Sequence, residues 1–180
     1  MDKKLLRKEM RSFRNSIDFT HEKNCKIRKK VLELFEEEKY TSVFSYISMK
    51  SEVDTKEIIF ALLNKMQVFG PHTEKTGMFP VRFLGQMSLD KTDKLGNVYT
   101  NAIDESIVPQ ATITPLLAFD KNNYRLGYGG GYYDKFFVKT KTIKIGLAFD
   151  EQEVDEIDID DYYIPLAIII TPTRTIRRMN

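Results

Sequence analysis

Residues 125–134 read RLGYGGGYYD, and four of the chain's nine glycines (Gly127, Gly129, Gly130 and Gly131) fall within five positions. Glycine accepts positive φ and lets the backbone approach a ligand closely, so consecutive N–H groups can converge on phosphate oxygens. A helix that begins where such a loop ends aims its positive pole at the same anion. The segment lacks the Lys-Ser/Thr that closes a Walker A loop, and no ribose-binding acid completes a dinucleotide signature. A mere flexible turn has little use for the large, rigid Tyr128, Tyr132 and Tyr133, so the loop reads as a wrap for a phosphate-bearing ligand. Arg125, two residues ahead of the glycines, suits either a planar fork on phosphate or an exposed strand end. Asp134 suits either Mg²⁺ ligation or the first turn of a helix, where an acid favours the dipole.

Two other groups of residues have chemistry to offer. At 100° per residue, Lys3, Arg7 and Arg14 line up beside an apolar helical stripe, with Arg11 further round. Such a row either leans over the edge of a site or solvates a helix face. Glu52, in Ser51-Glu52-Val53-Asp54-Thr55, has no local task if Asp54 and Glu57 form a capping box; it suits a loop acceptor for a polar ring or amine, or a solvent-facing acid. His21, His72 and Cys25 have no partner spacing for a metal or a triad.

These residues need elements to position them. Leu6, Met10, Phe13 and Ile17 recur at helical spacing on a first helix, and Ile27, Val31, Leu34 and Phe35 form the apolar face of a second, N-capped by Thr20. Residues 42–47 read as a buried strand, and a helix over 58–66 follows the Asp54 cap. Further strands are expected at 68–69, 78–83, 112–117, 142–149 and 166–171, with a helix between 131 and 139. Strands with continuous apolar runs, alternating with helices, predict an α/β sheet covered on both faces. No repeat or linker divides residues 1–180, so one domain is expected; residues 84–110 are polar and turn-rich and read as loop.

Bulk properties narrow the class. Of 180 residues, 42% are hydrophobic and 30% charged, and the net charge is only +2, which points to neither a nucleic-acid nor a membrane partner. The charge is uneven: residues 1–30 carry eleven Lys/Arg against four acids, while residues 150–161 carry eight acids and no base. One cysteine cannot form an internal disulfide, no apolar h-region follows the basic start, and the longest apolar run, 166–170, is too short for a bilayer. A cytoplasmic protein, monomeric or weakly dimeric, is the expectation.

Four segments, KKLLRKEMRSFR, SEVDTKEII, AFDKNNYRLGYGGGYYDKF and IGLAFDEQ, resemble in order and spacing the 5-formyltetrahydrofolate cyclo-ligase (methenyltetrahydrofolate synthetase) family. The resemblance spans nearly the whole chain, and the glycine-tyrosine segment is highly specific. It implies a three-layer α/β/α sandwich with a mostly parallel sheet and an ATP- and Mg²⁺-dependent conversion of 5-formyltetrahydrofolate to 5,10-methenyltetrahydrofolate, ADP and phosphate. By motif position it implies Lys3, Arg7, Arg125, Leu126, Gly127, Tyr128, Gly129, Gly130, Gly131, Tyr132 and Tyr133 at ATP. It likewise implies Ile47, Glu52, Tyr128, Gly129, Gly130, Gly131 and Tyr132 at the folate, with Arg125, Tyr132 and Tyr133 nearest the chemistry. Asp134 and Asp161 are the implied metal ligands. Four positions depart from the pattern. Asn123 replaces a usual glycine, Asp158 a proline, and Tyr163 and Ala167 stand where acids are common, which leaves the metal either to Asp160 or Asp161 nearby or to Asp134 and water.

Two other readings compete: a sugar-phosphate isomerase-like enzyme, which needs a general base and finds only Glu52 or Asp134, and a non-catalytic folate or nucleotide binder, which Tyr163 favours.

Overall fold

The computed structural model describes residues 3–18, 20–84, 107–160 and 163–179. Five parallel strands form the centre of a seven-stranded sheet: β1 (Ser42–Ser45), β2 (Gln67–Glu74), β4 (Ala111–Thr114), β7 (Ile143–Leu147) and β8 (Ile168–Ile170). With β3 (Gly77–Arg82) and β9 (Thr175–Arg177) added antiparallel at the edges, the order is β3-β2-β1-β4-β7-β8-β9. Four helices accompany it: α1 (Lys3–Asn15), α2 (Thr20–Glu37), α3 (Lys56–Leu63) and α4 (Tyr132–Lys139). This is the expected α/β arrangement with a mostly parallel sheet.

Strand alternation sorts the core into two faces. Val43, Val68, Ile113, Ile145, Leu147, Ile168 and Ile170 pack with Ile27, Val31, Leu34 and Phe35 of α2 and Ile58, Ile59 and Leu62 of α3. Their neighbours point the other way: Phe44 and Phe69 meet Phe136 and Phe137 of α4, with the Phe44 and Phe136 rings 5.2 Å apart. Sheet faces covered by α2/α3 and by α4 give the three layers. No helix among the described residues is long and apolar enough to cross a membrane.

A second, two-stranded sheet was not foreseen. β5 (Ala118–Phe119) pairs antiparallel with β6 (Arg125–Leu126), too short for a periodic signal. The turn between them is built by Asp120, whose Oδ1 accepts the N–H groups of Asn122 (2.9 Å) and Tyr124 (3.0 Å). Asn123 sits at φ 61°, the left-handed conformation that Asn tolerates best after glycine, so the turn survives the departure from glycine. The hairpin is the seat of α1: Leu6 and Met10 pack on Leu117, Ala118, Leu126 and Ile157.

That seating corrects the stripe read on α1. Phe13 is 44% exposed, and the buried row is Leu6, Met10 and Arg14, one residue every four. The capping box also fails to form. Asp54 Oδ1 does accept the Lys56 N–H (2.9 Å), but Glu57 turns away to pair with Arg28 of α2 at 2.9 Å.

Gly146 on β7 shows how closely the hairpin-side face is packed. A Cβ there would stand 2.5 Å from Leu166 Cδ1 and 2.8 Å from Leu116 Cδ2, and both leucines are buried. Gly146→Ala is expected to lower stability by about 1–3 kcal/mol through overpacking, read as a lower urea midpoint at an unchanged m-value.

Candidate functional site

The chain leaves β1 toward β2 on one side, while β4 lies on the other, so the sheet order reverses between β1 and β4. In open α/β sheets the crevice beyond the carboxyl ends of such strands is where ligands bind. A cavity of about 750 Å³ lies here, with Tyr46, Ile47 and Met49 from the end of β1 and Pro115 from the end of β4 in its wall.

The glycine loop forms another wall. Gly129 has φ 101° and Gly131, immediately before α4, has φ 65°, both disfavoured for residues with a Cβ. α4 therefore starts at the cavity, with Tyr132, Tyr133 and Asp134 in its first turn. Arg7 reaches the loop from α1: its Nε donates to the Gly127 carbonyl at 3.0 Å and lies 3.6 Å from where a Cβ on Gly129 would be.

Opposite the loop, residues 46–55 fold back on themselves. The Tyr46 hydroxyl donates to the Val53 carbonyl (2.9 Å), and the Thr55 hydroxyl donates to the Tyr46 carbonyl (2.7 Å). Within this loop Glu52 is only 9% exposed, and its Oε2 accepts the Met49 N–H at 2.8 Å. Its Oε1 accepts the Tyr128 hydroxyl from the glycine loop, and that hydroxyl in turn accepts from Arg14 Nη1 at 2.7 Å. Glu52 thus has a local task after all. Burial, reinforced by the Glu52 charge, pushes the Tyr128 and Tyr133 hydroxyls well up, so both stay protonated near neutral pH.

Arg125 is 4% exposed, and its guanidinium is engaged inside the protein. Nη2 donates to Asp134 Oδ1 (2.9 Å), Nη1 donates to the Ile164 carbonyl (3.0 Å), and Cζ lies 5.1 Å from the centre of the Phe137 ring. Burial pulls its pKa down while Asp134 holds it up. Lys3 donates to Asp160 Oδ2 at 2.6 Å and rests 4.8 Å over the Tyr163 ring. That hydrogen bond raises the Lys3 pKa.

The cavity brings together Arg7, Ile47, Glu52, Arg125, the loop from Gly127 to Gly131, Tyr132, Tyr133 and Asp134. Leu126 lies behind the loop in the α1 contact, and Lys3 reaches the wall through Asp160 and Tyr163. Asp161 lies outside the described residues. Among the described residues no three His, Cys, Asp or Glu side chains gather as a metal cluster. Sequence reasoning overlooked Arg14 as an interior group, although its i, i+4 spacing from Leu6 and Met10 was available. It also overlooked Met78 and Val138, which line the cavity from β3 and α4; nothing in their local pattern marks them.

The sequence model of the 5-formyltetrahydrofolate cyclo-ligase family matches residues 1–172. The 5-formyltetrahydrofolate cyclo-ligase of Mycoplasma genitalium is 32% identical over 176 residues, covering 93% of this chain and 98% of that one. The enzyme of the same name from Haemophilus influenzae is 28% identical over 179 residues, covering 92% and 95%. The solved structure of Aquifex aeolicus 5,10-methenyltetrahydrofolate synthetase superposes with a TM-score of 0.86 at 24% identity, covering 100% of this chain and 94% of that one. The chain belongs to the 5-formyltetrahydrofolate cyclo-ligase family.

Proposed function

We propose that the protein closes 5-formyltetrahydrofolate to 5,10-methenyltetrahydrofolate with ATP, holding both substrates in the cavity between the glycine loop and Glu52. Membership of the family supports the reaction, and one observation supports the site: a phosphate-suited loop and a buried carboxylate line one cavity of about 750 Å³. A formamide carbon is a weak electrophile and its oxygen a poor leaving group. In the proposed sequence the formyl oxygen attacks the γ-phosphorus and ADP departs. The N10 lone pair then adds to the activated carbon, and the carbon–oxygen bond breaks as phosphate leaves with the former formyl oxygen and the N10 proton.

Phosphoryl transfer needs alignment and charge neutralisation more than a protein nucleophile. The N–H groups of residues 127–131 and the amino end of α4 are suited to phosphate oxygens, with Arg7 beside them and Lys3 released from Asp160 to join it. Ile47 and Glu52 are suited to the folate ring, Glu52 as the acceptor for ring N–H groups. Tyr132 and Tyr133 wall off the reacting atoms from water, and Arg125 aims Asp134.

Asp134 fits a magnesium ion: it offers a hard carboxylate at the cavity wall, and Mg²⁺ takes one or two carboxylates together with phosphate and water. We propose Asp134, with Asp161, as its ligands; the ion would neutralise charge building on the β- and γ-phosphates.

Incubation with 5-formyltetrahydrofolate, Mg²⁺ and ATP is expected to raise the absorbance of the methenyl product only when ATP is present. Binding of both ligands without turnover would mean a non-catalytic binder. Arg7→Ala is expected to raise the KM for ATP about tenfold to a hundredfold, as for one lost charge-assisted hydrogen bond, with a smaller effect on folate. Lys3→Ala should shift ATP less, because Lys3 must first leave Asp160; the opposite ranking would count against Arg7 at the phosphates. Asp134→Asn should move the Mg²⁺ titration of activity to higher concentration, and an unchanged titration would leave Asp134 a helix-start residue.

A further inference from the structure

Four charged side chains are buried among the described residues: Arg14, Glu52, Asp120 and Arg125. Asp120 is satisfied by three backbone N–H groups, from Asn122, Tyr124 and Ile157, and Arg125 by Asp134 and the Ile164 carbonyl. Arg14 and Glu52 are opposite charges in the same region, yet among the described residues neither makes a direct ion pair. The Tyr128 hydroxyl stands between them. A direct guanidinium–carboxylate fork is the stronger pairing for two buried charges, so inserting a phenol gives up interaction energy that must serve something else.

The direction of the chain of hydrogen bonds is fixed. Arginine only donates, so the Tyr128 oxygen accepts from Arg14 and its proton goes to Glu52 Oε1. Arg14 is itself anchored by donating Nε to Ser51 Oγ (3.1 Å) and Nη1 to the Leu116 carbonyl (3.2 Å), and its Cζ lies 5.6 Å from the Tyr128 ring centre. Tyr128 belongs to the glycine loop, between Gly127, whose carbonyl Arg7 holds, and Gly129. Glu52 belongs to the loop after β1. One hydroxyl therefore joins the two walls of the cavity, and Arg14 supplies the fixed donor behind it.

We propose that Arg14 is a positioning residue that, through the Tyr128 hydroxyl, couples ligand binding at Glu52 to the conformation of the glycine loop. The proposal rests on the reading above, in which folate N–H groups seek Glu52 and ATP phosphates seek the loop. A ring N–H arriving at Glu52 competes with the Tyr128 proton for Oε1. Tyr128 stays pinned to Arg14, so the loop adjusts about that point and presents its N–H groups differently to a nucleotide. Each ligand then changes the other's affinity by the same factor.

The test is the dissociation constant of a non-hydrolysable ATP analogue, measured by calorimetry with and without saturating 5-formyltetrahydrofolate. In the wild type the folate is expected to change it by about fivefold or more, within the usual range of coupling between sites. Tyr128→Phe, which keeps the ring and removes the hydroxyl, should bring that factor close to one. Arg14→Met should do the same, Arg14→Lys should restore part of it, and the double variant should be no worse than Tyr128→Phe alone. Circular dichroism and melting temperature check folding, and Tyr128→Phe carries the test if Arg14→Met does not fold. A wild-type factor of one overturns the proposal, as does a Tyr128→Phe protein that weakens both ligands but keeps the wild-type factor. Wild-type protein that binds no 5-formyltetrahydrofolate overturns the functional reading as well, whereas turnover with uncoupled binding overturns this proposal alone.

Discussion

Everything at the site depends on the seating of one short, highly charged helix on a two-stranded hairpin. α1 has 13 residues, and its buried apolar contact is chiefly Leu6 and Met10 against Leu117, Ala118, Leu126 and Ile157. Fully burying side chains of this size contributes roughly 1.5–3 kcal/mol each, so the docking is modest beside the main core. It nevertheless determines where Arg7 meets the glycine loop and where Arg14 enters the protein. The hairpin contributes the other half: its second strand, Arg125–Leu126, runs directly into the glycines.

The cavity wall shows how a protein keeps charge near an apolar space without strain. Each buried ionised group has more than one hydrogen-bond partner, which is what an interior of low dielectric demands. Arg125 spends its donors on Asp134 and a carbonyl, lies on an aromatic face, and stays buried while Asp134 remains partly open to the cavity. The result is a hydrogen-bonded polar frame around a volume large enough for a bulky ligand.

Much of this was legible in the sequence wherever local pattern and burial agree. Ile27, Val31, Leu34 and Phe35 announced the face of α2, and all four are buried. The run Ile168–Ile170 read as a strand because both of its faces are covered. The glycine-tyrosine loop stood out because its composition is rare. What escaped notice depends on partners distant in the chain. β5 and β6 have two residues each, below any period. Phe13 and Arg14 exchanged their expected places because α1 lies on a narrow hairpin, where a row of one residue in four suffices, and because Arg14 finds Tyr128 and Leu116 more than a hundred positions away. Glu57 abandoned a local cap for Arg28 of another helix. Where tertiary contacts outbid local ones, a single sequence cannot announce the winner.

The docking of α1 also dictates an order of assembly during synthesis. A helix of this length is marginal in water by itself, and its apolar partners extend to Ile157, while Lys3 finds Asp160 across 157 positions. As the chain leaves the ribosome, α2, β1 and α3 can collapse on one another, but α1 waits for the hairpin and for the acidic stretch beyond β7. α1 is made before its seat and settles after it, and a nascent chain not yet extended to Asp160 lacks a completed site.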